Sequence, residues 1–309
     1  MRAVVYHYVR CFDQQLPLFR YLDIVNFRKQ LDYFDKSYGF VTKEEWLDFV
    51  TKGKMPKKQG KIILTFDDGP SCNYHHVFPE LIERNLWGIF YLSSSPYKEK
   101  KVLDVHRVNL LCGAFDGEAL LASAREKIEN FMIPDAKIKE YKNNTYVRFT
   151  NYPGVSEFKK ILNYYIDYVY RETLINQIAE EKNFTFNHDQ FYISSNQIMK
   201  MIKEGMIFGA HSHSHAVMSK LSKSEQKKEI EKSLRFISGF SQPGLPSTYS
   251  HPFGGFESFN TATIEILAEK GVEYSFSIEN NQIKKNDILL SKHSLPRFDC
   301  NFFRYGQAS

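Results

Sequence analysis

An α/β fold is what the sequence predicts: a parallel sheet or barrel of strands alternating with helices, interrupted by a mainly helical insertion. Three observations point to it. Compact β-branched and aromatic runs recur, as in Ile62-Ile63-Leu64-Thr65-Phe66 and Gly88-Ile89-Phe90-Tyr91-Leu92, the composition of strands covered on both faces. Apolar residues at helical spacing follow such runs, and repeated β-α-β units imply parallel strands. The rhythm breaks from about Ser93 to Gln190 and then returns.

In order along the chain, Ala3 to Val9 reads as a first buried strand. Asp23 to Phe34 follows as a helix, with Ile24, Phe27, Leu31 and Phe34 on one face. Thr42-x-x-Glu45 ahead of Trp46 and Leu47 is a capping-box pattern opening a second helix. After the polar loop Lys52 to Lys61 comes the Ile62 to Phe66 strand, then a helix over Val77 to Arg84 and the strand ending at Leu92. Residues 93–190 read as the insertion, with helices at Glu118 to Phe131 and Val155 to Ile178 around a polar, turn-rich middle. The alternation resumes with a helix at Ser195 to Glu204, a strand at Met206 to Ala210, and helices at Ser224 to Phe236 and Thr261 to Lys270. Strands are expected at Val272 to Ile278 and Ile288 to Leu290. The whole, residues 1–309, is read as one domain carrying the 93–190 insertion.

Bulk properties narrow the function classes. The hydrophobic share of 42% and charged share of 25% are those of a globular chain with a proper core. A net charge of +5, with lysines spread over many helices, gives no basic arm, so nucleic acid is not indicated. Tyr (19) and Phe (26) are abundant; aromatic faces suit sugar rings and equally well fill cores. Cys11, Cys72, Cys112 and Cys300 form no CxxC pair, which argues against a zinc knuckle or disulfide framework and for a reducing compartment. The apolar run at the N-terminus is too short for a signal peptide, and no stretch approaches a membrane span. With Met1 as the native start, a cytoplasmic location is expected.

Two segments carry chemistry. Asp67-Asp68-Gly69-Pro70 places adjacent carboxylates where a buried strand stops, the end at which α/β barrels hold their sites. Adjacent strand residues point different ways, so one carboxylate can bind a metal while the other accepts a proton; Asp, Gly and Pro are also ordinary turn formers. His211-Ser212-His213-Ser214-His215 follows another apolar strand. If it is extended, all three rings share a face; if it turns helically, His211 and His215 share one and His213 does not. Either geometry allows two imidazoles on one cation, and two histidines with a carboxylate leave positions open for water.

Together these segments resemble the polysaccharide deacetylase family (the NodB homology domain, carbohydrate esterase family four). Thr65-Phe66-Asp67-Asp68-Gly69 is similar to its first motif and His211-Ser-x-x-His215 to its second. The resemblance implies a distorted (β/α) barrel, with Asp67 as catalytic base and Asp68, His211 and His215 as ligands of a divalent cation. Zinc is expected, with nickel, cobalt or manganese as alternatives. Ser250-His251-Pro252-Phe253-Gly254-Gly255 stands in the place of the third motif, with Pro252 beside an oxyanion donor at the Phe253 backbone N–H. Ser250 replaces the family's arginine, and Arg297 is the candidate to orient Asp67 instead. The C-terminal motif, whose histidine protonates the leaving amine, lacks its usual spacing; His293 is the candidate acid. Leu295-Pro296-Arg297-Phe298-Asp299 would lend Arg297 and Asp299 to the rim. Tyr6-His7-Tyr8 would turn His7 into the barrel mouth, while His75 and His76 read as surface residues.

The resemblance implies a carbohydrate N-deacetylase, a hydrolase acting on an N-acetylated sugar, nucleotide sugar or glycan of bacterial surface polysaccharide biosynthesis. It leaves the insertion unexplained; bordering the sugar site or a homo-oligomer contact is its expected role. A deformylase or O-acetyl esterase on the same fold, a glycan-binding protein with a decayed site, a structural zinc protein and a phosphoesterase are the competing readings.

Overall fold

The computed structural model describes residues 1–134, 139 and 152–308. It divides into two compact units, one of Met1–Cys11, Tyr21–Glu99 and Gln190–Ser309, the other of Phe12–Arg20 and Lys100–Asp189.

The first unit is a (β/α) barrel. Its strands are β1 (Arg2–Tyr6), β2 (Val9–Arg10), β3 (Leu22–Asp23), β4 (Ile62–Phe66), β5 (Ile89–Leu92), β6 (Ile207–Ala210), β7 (Thr248–Ser250), β8 (Tyr274–Phe276) and β9 (Arg297–Asp299). Seven of them form one sheet in the order β8-β7-β6-β5-β4-β1-β9, every pair parallel. A parallel bridge between Phe276 and Leu295 links the two edges, so the sheet is nearly closed. β2 and β3 form a separate parallel pair.

Every residue of β4, β5 and β6 is buried, and side chains alternate between two packed faces. Val4, Tyr6, Leu64, Phe66, Phe90 and Phe208 share a cluster with Phe27, Leu31 and Phe34 of the helix Ile24–Ser37. Within it Phe66 stacks on Phe90 at 4.7 Å, and Phe90 on Phe208 at 5.4 Å. The other face gathers Ala3, Ile63, Tyr91, Ile207 and Phe276 around Trp46 and Phe49. The capping box at Thr42 and Glu45 forms and starts the helix Lys43–Lys52, which carries Trp46 inward. Trp46 Nε1 donates to Tyr274 Oη at 3.1 Å, satisfying an indole that would otherwise be an unpaired polar group in the core.

Several expected elements move. β1 stops at Tyr6, and Val9 pairs with Leu22 instead of extending it. Ile288 to Leu290 is not a strand but part of a helical turn, Asp287–Leu290. Lys284 N–H donates to Asp287 Oδ2, capturing the backbone locally, and only Ile288 of the three is buried. β7 and β9 are three residues long and partly polar, so neither presents a recognisable apolar run; tertiary pairing makes them strands.

In the second unit the helices Asp104–Ala114, Gly117–Lys127 and Tyr168–Glu181 pack Val108, Leu111, Leu120, Ala124, Leu174 and Ile178 into its core. The helix expected over Val155 to Ile178 is broken. Asp167 accepts from the Val169 N–H and starts a new helix, ending the preceding π-helical turn Ile161–Tyr165. Part of the polar middle, residues 135–138 and 140–151, lies outside the described residues. Among the described residues no helix is long and apolar enough to cross a membrane.

Gly209 shows how little room β6 has. A Cβ there would sit 2.5 Å from Tyr91 Cε1 and 2.7 Å from Thr248 Cγ2. Gly209→Ala is therefore expected to cost about 1–3 kcal/mol through overpacking, read as a lowered urea midpoint; an unchanged midpoint would show that the Tyr91 wall yields freely.

Candidate active site

The site is built where β4, β6, β7 and β9 meet near the C-terminal ends of the sheet. Asp67 follows β4 at 1% exposure and faces Arg297, the first residue of β9, at 0%. The two form a bidentate pair, Nη1 to Oδ1 at 2.8 Å and Nη2 to Oδ2 at 2.7 Å. The remaining guanidinium bonds go to Thr65 Oγ1 (3.2 Å), Ser250 Oγ (2.7 Å) and the Ser277 carbonyl (3.3 Å). All five N–H groups of the fork can thus be satisfied without water. Ser250 Oγ also donates to Asp67 Oδ2 at 3.1 Å. The residue that takes the place of the resembling motif's arginine therefore still touches the carboxylate, through a hydroxyl. The only sequence sign of this role is its position before Pro252-Phe253. Burial pushes the Asp67 carboxyl upward, but the charges of Arg297 and His211 outweigh it and hold its pKa below the usual value.

Asp68 turns the other way, with φ at +74°. Its Oδ1 lies 3.4 Å from His211 Nε2 and 3.2 Å from His215 Nε2. The three ligand atoms lie within 4.8 Å of one another, and all three residues are buried. His211 Nδ1 is 2.8 Å from the Ser250 carbonyl; this bond places the proton on Nδ1 and leaves Nε2 as the free lone pair. Burial disfavours a charged His211, yet Asp67 and Asp68 overcome it and raise its pKa. The site is thus electrostatically set for positive charge, and two imidazoles with one carboxylate suit a divalent cation such as zinc.

The His211 to His215 segment is neither strand nor helix. Ser212 and His215 both take left-handed backbone, φ +59° and +56°, which brings the His211 and His215 rings to 4.8 Å and sends His213 elsewhere. His213 Nδ1 is 2.9 Å from Ser94 Oγ and its Nε2 3.1 Å from Glu99 Oε1. Phe253, also left-handed at φ +62°, sets its ring 4.9 Å from that of His215, next to buried Pro252.

The remaining candidates separate. His7 follows Tyr6, which pairs with Phe66, so His7 comes level with Asp67; it is half-buried and among the charges that lower the Asp67 pKa. His293 is buried on the turn Lys292–Ser294, where burial and then Lys292 push its pKa down to about 4. Its carbonyl lies 2.8 Å from His251 Nε2. Asp299 caps the turn Cys300–Phe302, accepting from the Asn301 N–H at 2.9 Å and Asn301 Nδ2 at 2.6 Å. His75 is exposed and His76 half-exposed on the turn Asn73–Val77.

The Asp67–Arg297 pair yields a test of sign as well as size. Arg297→Met leaves a buried carboxylate without its partner, a loss of about 3–5 kcal/mol. Because the Asp67 pKa is lowered by folding, the pair stabilises above the ordinary aspartate range, near 4, and that contribution fades as pH falls through the lowered value. Urea midpoints at pH 7 and pH 3 should show the gap between parent and variant narrowing in acid; a gap independent of pH would contradict this account.

Known proteins resemble this chain in one segment of sequence and in fold. Residues 167–275 match the family model described as polysaccharide deacetylase, a segment that contains His211, His215 and Ser250 to Gly255 and leaves Asp67 and Asp68 outside. No curated protein matches the chain. In fold it is similar to the Streptococcus pyogenes deacetylase PplD, at 13% identity and TM-score 0.59 over 97% of this chain and 91% of that one. The BpsB deacetylase domain from Bordetella bronchiseptica matches at 14% identity and TM-score 0.53, over 96% and 94%. BC0361, a polysaccharide deacetylase from Bacillus cereus, matches at 14% and 0.52, over 96% of this chain and 64% of that one. The matched segment and the shared barrel bear out the resemblance to the polysaccharide deacetylase family.

Proposed function

We propose that the chain is a metal-dependent hydrolase that removes N-acetyl groups from an amino sugar of a glycan, with surface-polysaccharide tailoring as its role. One observation carries the reading: an anionic Asp67, locked by Arg297, stands beside the buried trio Asp68, His211 and His215. The matching family description supports the acetylated glycan as substrate class.

The trio would hold the cation, zinc being the choice its nitrogen and oxygen donors favour. A bound divalent cation supplies Lewis acidity, polarising a carbonyl and lowering the pKa of water. The protein's own groups do the rest. Asp67, kept charged at neutral pH by Arg297, accepts a proton from the attacking water. The Phe253 backbone N–H donates to the developing oxyanion, an arrangement effective because it is fixed beforehand. His7 then delivers a proton to the leaving amine. It is preferred over His293 because it stands level with Asp67, whereas His293 is buried and neutral at pH 7 with its pKa near 4. Pro252 holds Phe253 in place, and Arg297 acts through Asp67. Asp299 is occupied with its own turn.

Acetate release from N-acetylated oligosaccharides is the direct test. Chelation should abolish it and added zinc restore it. Asp67→Asn should reduce turnover roughly 100- to 10,000-fold, the usual worth of general acid–base catalysis, and His7→Gln should do likewise, while His293→Gln stays close to the parent. Release of formate, or of acetate from esters alone, would reassign the reaction. Full activity in metal-free protein would remove the proposed mechanism.

A further inference from the structure

We infer that Glu229 is a positioning residue for the metal ligands, holding the loop after β6 in the one backbone shape that aims both histidines at Asp68. The inference rests on the reading that Asp68, His211 and His215 hold a cation.

The loop has one internal tie, the His215 N–H donating to Ser212 Oγ at 2.9 Å, and otherwise depends on its surroundings. β6 ends at Ala210, and left-handed backbone at Ser212 and His215 is a conformation that residues with a Cβ resist. Its carbonyls rest on the residues that follow β5. Ser93 Oγ donates to the His211 carbonyl at 2.7 Å, Ser94 N–H to that of Ser212 at 3.3 Å, and Ser95 N–H to that of His213 at 2.9 Å. Its amides are gathered on the opposite side by one carboxylate. The His213 and Ser214 N–H groups both donate to Glu229 Oε2, at 2.9 and 2.8 Å, and Ser214 Oγ donates to Oε1 at 2.9 Å. Consecutive N–H groups converging on an anion form a nest, and bonds to a charged acceptor are the stronger kind.

Glu229 belongs to the helix Lys223–Ile237, whose next residue, Ile230, is buried with Ala210 and Tyr249. The carboxylate is therefore fixed relative to the end of β6. Its bonds to the loop go to the His213 and Ser214 amides and to the Ser214 hydroxyl. Its influence runs through the backbone: without it the loop keeps the Ser93, Ser94 and Ser95 bonds to its carbonyls and the His215 N–H bond to Ser212 Oγ, but loses the anchor on its amides, and relaxation of Ser212 or His215 to negative φ would carry His215 away from Asp68.

The test is a cobalt(II) titration of the whole chain, whose visible absorption reports ligand geometry, beside thermal melts of the metal-free protein. Glu229→Ala should weaken binding roughly 10- to 100-fold, the range for groups that orient metal ligands, and alter the absorption bands. Glu229→Gln keeps an oxygen for both N–H groups but not the charge, so it should restore part of the affinity. Ser214→Ala, which removes only the hydroxyl bond, should lie nearest the parent. A folded Glu229→Ala protein that binds cobalt like the parent, with the same bands, would overturn the inference; should that variant not fold, Glu229→Gln decides by the same criterion. A parent that takes up no cobalt would sink the metal reading itself, a result distinct from a parent and variants that bind alike.

Discussion

Asp67 and Arg297 meet almost wholly withdrawn from bulk solvent, and the rest of the site is arranged around keeping that pair satisfied. A charge withdrawn from solvent is tolerated only when its partner and its remaining hydrogen bonds are in place. Arg297 meets this demand by drawing on Thr65 of β4, Ser250 of β7 and the carbonyl of Ser277 after β8. Its guanidinium lies 5.8 Å from the Tyr91 ring and 5.5 Å from that of Phe276. One cation thus ties β4 and β9 to the β7–β8 side of the barrel, and Asp67 is presented as a rigid anion because everything around it is already committed.

Backbone strain is concentrated in the same place. Asp68, Ser212, His215 and Phe253 all adopt left-handed φ without being glycine. Such residues persist only where the surroundings over-determine them, and they cluster where precise aim matters. Here the conformation turns Asp68 away from Asp67 so that two adjacent carboxylates serve different partners. It also separates His213 from the two histidines on either side of it.

Much of this was readable in the sequence, and the limits have physical reasons. The carboxylates and histidines stand out because each set ends a strongly apolar strand, and β4, β5 and β6 have the continuous hydrophobic character of buried parallel strands. β7 and β9 carry no such signal, since Thr248-Tyr249-Ser250 and Arg297-Phe298-Asp299 become strands only through neighbours distant in the chain. Arg297 could be named as a substitute for the arginine absent at Ser250, but its reach to Asp67 depends on a pairing 230 residues apart. Local chemistry also overrode pattern. Asp167 interrupted a long helical periodicity, and Asp287 captured a turn where Ile288 to Leu290 reads as a strand. The left-handed turn at Ser212 could not be chosen from spacing alone, because both the extended and the helical arrangement bring His211 and His215 together.

The placement of Arg297 on β9, the last strand of the sheet, ties chemistry to closure of the barrel. β9, which pairs with β1 at the edge of the sheet, brings Asp67 its bidentate partner and stands beside the bridge that nearly closes the barrel. The strand that completes the sheet is therefore also the one that fixes the carboxylate's orientation.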